Sequence, residues 1–415
     1  MDPGREIMDQ SILDDARAFV TAHHQFPDRF PLLARIRETG MIVAIDDLRL
    51  VTTHDKLVEG YRDQRLSRQE GALAESRAHT SANSAENGEK ARSAVTQMLI
   101  NQDDPGHARI RKILETAFKP SRVASWGKAI QAITDELIDN VAGRESFDFR
   151  KELAFPLPER IICSLIGVPY EDHHLWSAWT ETVVAASRST APTAEIAAAV
   201  DQAQIDFYNY FKDLVAKRRA DLGDDLVSIM IRAESEGDRL SELELIGTLQ
   251  MLIQAGHETT GNLINNGMYT LLTHPEQYDR LRADPGLVPT AVEEMLRFCS
   301  PAIWSLPRIA ITDVPLGDDI IPKGTTVLMS LEAANRDPSR IEDPDRFDIG
   351  RSKNHHVAFA AGVHFCLGNQ FARLEATTMF RAIATRLPRL ELVSEPRLKE
   401  TWVRAYDDLQ VRVAR

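Results

Sequence analysis

Cysteine is scarce: only Cys163, Cys299 and Cys366 occur in 415 residues. They are far apart, odd in number and never spaced C-x-x-C, which argues against a disulfide framework or a zinc site. That usage fits a reducing, intracellular setting. Long apolar runs are missing too. Nothing approaches the ~20 apolar residues of a membrane span, and the first twenty residues carry Asp, Arg and Glu where a signal peptide would have its apolar stretch. A cytoplasmic protein without a membrane anchor is expected. Basic charge is in deficit, with a formal net charge of -13, so general nucleic-acid binding is not expected. No repeat at a fixed period appears, nor any flavin, dinucleotide or iron–sulfur motif.

What is present is a sequence with 43 % hydrophobic residues, enough for a large core. Residues 41–45 and 48–52 flank Asp46-Asp47 and read as a short hairpin. Residues 77–90, rich in Ser, Ala, Asn and Glu, read as a surface loop, and residues 186–193 around Pro192 as a second soft spot. The clearest element starts at Ser241, which has capping-box spacing to Glu244. Leu243, Ile246, Leu249, Leu252 and Ile253 then recur at helical intervals, the pattern reaches Leu272, and Pro275 stops it. Such a helix, about 50 Å long at ~1.5 Å per residue, spans a whole domain. Its apolar stripe is broken by Ala255-Gly256-His257-Glu258-Thr259-Thr260. Gly and paired β-branched residues weaken a helix, so a functional distortion is expected there, unless the threonines only bond back to carbonyls. A helix over 290–298, short strands within 309–331, an irregular stretch over 335–361, a helix over 367–387 and small strands over 390–413 complete the reading. The predicted class is mainly α with small β-sheets. A single domain over 1–415 is expected, β-containing over about 30–75 and 305–415 and helical over about 100–300.

Just after the irregular stretch, Cys366 sits before a helix and between Gly362 and Gly368. A helix N-terminus offers free N–H groups and a favourable dipole to an anion, here a thiolate. Glycines on both sides let the backbone approach a flat, bulky group. Phe359, Gly362, His364, Cys366 and Gly368 match F-x-x-G-x-H-x-C-x-G at every fixed position. This resembles the haem-binding signature of the cytochrome P-450 superfamily. The resemblance implies a long central helix over a buried haem b, with Cys366 as the axial ligand of its iron. Such a thiolate donates electron density that favours O–O cleavage. Cys163 and Cys299 lack this context and read as core residues.

Three further matches follow in the family's order. Ala255 and Gly256 with Glu258-Thr259 resemble the oxygen-activating segment. There the resemblance implies that Glu258 serves as acid and Thr259 as alcohol, delivering the two protons that dioxygen reduction consumes, with Gly256 making room for oxygen and substrate. Read without the resemblance, Glu258 is a surface acid beside a helix-bending threonine pair. Glu294 and Arg297, three apart on a helix, resemble the structural E-x-x-R element. Its third partner is an arginine of the irregular loop; Arg346 lies at the expected place, with Arg336 and Arg351 nearby. His107, Arg111, Arg308 and His364 match the contacts to the two haem carboxylates, which need cationic partners when buried.

Substrate contacts are thinly marked. By position they include Val183, Ile253, Ile303, Trp304 and Trp402, although Trp304 reads equally well as a packing residue. The resemblance implies a monomeric monooxygenase that inserts one atom of O2 into a C–H bond of a small apolar molecule. Electrons would come from NAD(P)H through a ferredoxin reductase and a ferredoxin, with Arg109, Lys112 and Arg373 as candidates for meeting an acidic partner. The rival readings are a peroxide-driven peroxygenase, a haem-based sensor without turnover, and an atypical reaction such as C–C coupling or dehydration.

Overall fold

A computed structural model of the chain describes residues 9–22, 28–40, 42–78, 86–186, 193–235, 240–399 and 401–414. In chain order its helices are α1 (Gln10–Ala22), α2 (Phe30–Glu38), α3 (His54–Arg62), α4 (Arg68–Ala78), α5 (Glu86–Thr96), α6 (Gly106–Phe118), α7 (Pro120–Ser125), α8 (Gly127–Val141) and α9 (Pro156–Ile166). They continue with α10 (His173–Ala186), α11 (Ala194–Ala220), α12 (Leu226–Ser235), α13 (Glu242–Thr273), α14 (Pro275–Ala283), α15 (Val288–Phe298), α16 (Leu331–Ala334) and α17 (Asn369–Arg386). The strands are β1 (Val43–Ile45), β2 (Leu48–Val51), β3 (Leu66–Ser67), β4 (Ser146–Asp148), β5 (Arg308–Ala310), β6 (Val314–Leu316), β7 (Asp319–Ile321), β8 (Thr326–Met329), β9 (Leu390–Leu392) and β10 (Gln410–Val413). The chain is therefore mainly helical with small sheets, as its sequence predicts.

Helix α13 organises the rest. Ser241 Oγ accepts from the Glu244 N–H at 3.2 Å, and Glu244 returns a carboxylate oxygen to the Ser241 N–H at 2.7 Å. The two bonds satisfy donors that every helix start leaves open. Glu242 and Glu244 also place negative charge where the dipole favours it. Leu245, Ile246, Leu249, Ile253, Ile264, Met268 and Leu271 are buried in the main apolar cluster. Helices α5, α9, α11, α15 and α17 pack around them. The break expected at 255–260 does not occur: all 32 residues are α-helical, and Thr259 Oγ1 donates back to the Ala255 carbonyl at 2.8 Å.

A five-stranded sheet of order β1-β2-β8-β5-β3 flanks the helices, parallel only between β2 and β8. The hairpin about Asp46-Asp47 pairs Val43 with Leu50 as its sequence suggests. A three-stranded sheet joins β4, β10 and β9, and β6 pairs with β7. Two smaller apolar clusters lie against the larger sheet, one of them holding Phe19, Leu33 and Ile36 of the N-terminal helices. The loop expected over 77–90 is helical at both ends, where α4 and α5 enter it; its middle lies outside the described residues. At the second soft spot Ala186 ends α10 and Thr193 caps α11, accepting from the Ile196 N–H; residues 187–192 lie outside the described residues. Among the described residues no helix is long and apolar enough to cross a membrane.

Candidate active site

Residues 335–361 form no helix or strand longer than a turn, yet they are stitched in place by a buried charge centre. Glu294 and Arg297, one turn apart on α15, are each fully buried in their side chains and pair at 2.8 Å. Glu294 also accepts from Arg351 Nε at 3.1 Å, the Asp348 N–H at 2.9 Å and Asn354 Nδ2 at 3.0 Å. Arg297 donates to the carbonyls of Asn335, Pro344 and Arg346. The loop arginine is therefore Arg351. Arg346 contributes only its carbonyl and turns its side chain to Asp348 at the surface, while Arg336 lies between the rings of Phe30 and Phe298.

The loop delivers Cys366. The Cys366 N–H donates to the Phe359 carbonyl at 3.0 Å, closing the turn, and the Arg373 guanidinium stacks on the Phe359 ring at 4.5 Å. Gly362 has φ +68, and a Cβ there would lie 2.4 Å from the Tyr61 carbonyl oxygen, so only glycine allows this loop to sit on α3. This differs from the expectation that Gly362 gives way to a ligand. Gly368, by contrast, has open space where a Cβ would project. Gly368 is the N-cap of α17. Burial pushes the Cys366 thiol up, and the N–H of Gly368, the charges of Arg111 and Arg373, and the N–H of Asn369 pull it back without overcoming burial. The backbone donors reach the sulfur as expected, but they do not by themselves hold a thiolate.

Beside this loop the structure gathers the four predicted carboxylate-binding residues. The rings of His107 (α6) and His364 lie 4.3 Å apart. Arg111 donates to the carbonyls of Val363 and Phe365 at 3.0 and 2.9 Å. Arg308, on β5, is buried against the Tyr61 ring. Arg68, at the start of α4, is a fifth member; it donates to the Pro307 carbonyl and Asn101 and is buried as deeply as Arg308. Nothing in the sequence around Arg68 marks it, because its partners lie 33 and 239 residues away. Burial and the neighbouring Arg308, His107, Arg68 and Arg111 push His364 down to about 2. Nδ1 of His364 is buried without a hydrogen-bond partner among the described residues, while Nδ1 of His107 faces Asp104 at 3.4 Å. Such a concentration of cations around an orphaned ring nitrogen fits a group bearing carboxylates.

On α13, Ala255 is exposed, whereas a Cβ on Gly256 would meet Ile162 of α9 at 2.7 Å. Gly256 thus lets two helices close on each other, rather than opening room for oxygen. Glu258 accepts from Asn262 at 3.1 Å and faces His257 Nε2 at 4.0 Å. It lines a cavity of about 150 Å³ together with Arg150, Glu159, Glu181 and Lys399.

The remaining predicted residues are dispersed. Val183 is half-buried on α10, and Ile253 is buried in the main cluster. Ile303 and Trp304 pack with the N-terminal helices, Trp304 edge-on to Phe19 at 5.5 Å. The Ile303 N–H donates to the Trp402 carbonyl, so the C-terminal segment folds back here. None of the three candidate docking cations is free: Arg109 is bound to Glu244, Arg373 to Glu293, and Lys112 is also engaged.

The model of the family described as Cytochrome P450 matches residues 72–285 and 286–398. The chain is 43 % identical over 298 residues to Cytochrome P450 107B1 of Saccharopolyspora erythraea, covering 72 % of each chain. It is 35 % identical to the 6-deoxyerythronolide B hydroxylase of the same organism, covering 88 % of this chain and 90 % of that one. Among solved structures, P450BioI in complex with an acyl carrier protein carrying hexadec-9Z-enoic acid superposes with a TM-score of 0.86 at 31 % identity, covering 95 % of this chain and all of that one. With these matches added to the cysteine loop and the helix above it, the chain belongs to the cytochrome P450 family of monooxygenases.

Proposed function

We propose that this enzyme inserts one atom of O2 into a C–H bond of a small apolar molecule of terpenoid, polyketide, steroid or fatty-acyl type. Its electrons come from NAD(P)H through a ferredoxin reductase and a ferredoxin. The observation that carries the reading is the junction of Cys366 with the buried cations. A sulfur with backbone donors aimed at it lies next to His107, Arg111, Arg308, His364 and Arg68, a cluster of basic side chains that suits two carboxylates. Haem b fits that donor set, and when bound it supplies the redox chemistry that activates dioxygen.

The chain's own residues do the rest. Cys366 would hold the iron of that group, and the N–H groups of Gly368 and Asn369 would moderate the sulfur's donation. The Glu294–Arg297–Arg351 centre fixes the loop that presents it. Glu258 holds a proton-exchanging carboxylate beside Thr259, whose hydroxyl reaches the helix backbone at Ala255. Together they order solvent and pass protons. This acid–alcohol pair favours reduction of O2 over a peroxide-driven cycle, because peroxide already brings both protons and electrons. The apolar substrate class is supported by a relative named 6-deoxyerythronolide B hydroxylase and by a similar structure holding hexadec-9Z-enoic acid on an acyl carrier protein.

The test is spectroscopic. The reduced carbon-monoxide adduct of the purified enzyme is expected to absorb as a thiolate-ligated iron and to lose that signature in Cys366→His. A nitrogen-type spectrum in the wild type overturns the reading. Turnover supported by reduced ferredoxin should exceed peroxide-supported turnover, and compounds that shift the spin state of the iron identify the substrate class.

A further inference from the structure

Because Gly256 admits Ile162, α9 lies close to α13, and Glu159 of α9 shares a cavity with Glu258. Glu159 is only 9 % exposed. Its polar neighbours are the hydroxyl of Ser177, which hydrogen-bonds to it, and the charge of Arg150. Another group on the cavity wall is unserved: Arg150 Nε is buried without a hydrogen-bond partner among the described residues. Buried polar groups are satisfied by protein or by ordered water, and at ~30 Å³ per molecule this space holds several waters. At one side of the cavity Glu181, with a side chain 69 % exposed, pairs with Lys399 at 2.8 Å. The cavity wall thus joins Glu181 and Lys399, a pair that reaches solvent, with Ser177, Arg150, Glu159 and Glu258.

We propose that Glu159 is the proton-carrying positioning residue behind Glu258, taking protons from solvent at the Glu181–Lys399 mouth and passing them through cavity water. This rests on the monooxygenase reading above. In each turnover R–H, O2, two electrons from reduced ferredoxin and two protons give R–OH and H2O. Glu159 releases a proton towards Glu258 and regains one from solvent, so it is unchanged at the end.

The surrounding groups are unsuited to the task. Glu181 is held below its ordinary value by its hydrogen bond to Lys399. His257 lies against Trp176 and is bonded to the Ile253 carbonyl at 2.6 Å, and burial lowers its pKa. Cys163 and Tyr170, also near Glu159, are pushed up by burial and stay protonated. Arg150 is a fixed cation stacked on Phe155 at 3.8 Å. Glu159 alone is balanced: burial and Glu258 push it up, Arg150 and Ser177 pull it down, and it settles at about 7. Protonated and ionised forms are then both present at neutral pH.

The experiment compares Glu159→Gln, Glu159→Asp and wild type. Before any turnover, infrared titration should show a protonated-carboxyl band that disappears as pH rises through about 7 and is missing from Glu159→Gln. With the thiolate carbon-monoxide spectrum retained, ferredoxin-supported product formation is expected to fall about tenfold in Glu159→Gln. More electrons should then end in hydrogen peroxide, the solvent isotope effect should rise, and Glu159→Asp should recover part of the loss. Peroxide-supported turnover, which brings its own protons, should stay unchanged. If Glu159→Gln takes up no haem, Ala185→Leu, which fills the cavity without removing a charge, is expected to give the same split. Unchanged coupling, or equal loss with both oxidants, overturns this inference alone; absence of the thiolate spectrum in the wild type overturns the function as well.

Discussion

Single side chains decide whether the cysteine loop holds its shape. Glu294 has no contact with water, so every cation lost from it leaves charge stranded at low dielectric. Arg351→Ala is expected to cost ~3 kcal/mol. Arg346→Ala, which removes only the exposed pair to Asp348, is expected to cost less than ~1 kcal/mol. Urea unfolding of the two variants checks the difference, and equal losses would contradict the assignment of Arg351. The sequence makes Glu294 and Arg297 visible because they are neighbours on one helix. It leaves three loop arginines open, since the choice depends on how an irregular segment folds back. Arg68 and Glu159 are hidden for a related reason: each acquires meaning only from side chains brought to it across the fold.

At the scale of elements, α13 was the most legible part of the chain. A capping box, a helical apolar stripe and a terminating proline are local signals, and the structure follows them almost to the residue. What local signals could not tell is what each face of the helix meets. Gly256 reads as a gap and proves to be a point of close helix contact. Gly247 is a stronger case: a Cβ there would stand 2.1 Å from the Ala94 carbonyl oxygen of α5. Alanine should gain ~1 kcal/mol in helix propensity, but a clash with backbone does not relax easily and costs ~1–3 kcal/mol. Gly247→Ala is therefore expected to lower the melting temperature. Gly267→Ala, which presses mainly on the flexible Met295 and the Phe380 ring, should lower it less. A calorimetric comparison of the two distinguishes backbone from side-chain obstruction.

Over the whole molecule, distant segments are joined by a second buried charge centre. Glu332 on α16 pairs with Arg29, ahead of α2, at 2.6 Å and with Arg404, near the C-terminus, at 2.8 Å. Burial pushes the Glu332 carboxyl up, but the two arginines outweigh it and hold it at about 2, against an ordinary 4.5. A depressed folded-state pKa contributes stability that is complete above 4.5 and is lost as pH falls towards 2. Glu332→Gln should thus be less stable than wild type by about 3 kcal/mol at neutral pH. The gap should narrow progressively below pH 4.5, as chemical denaturation at several pH values would reveal; a constant gap would mean the carboxylate is not held by its partners.

The parallel register that sets Leu48 beside Thr326 and Val51 beside Met329 has a further effect during synthesis. The first hairpin leaves the ribosome with one row of amides and carbonyls unserved, and its complement, β8, is made more than 270 residues later. Exposed strand edges invite foreign partners, and such distant pairing is slow to form. Until β8 is made, therefore, the amino-terminal portion is an unfinished surface, and its closure waits on a segment far along the chain.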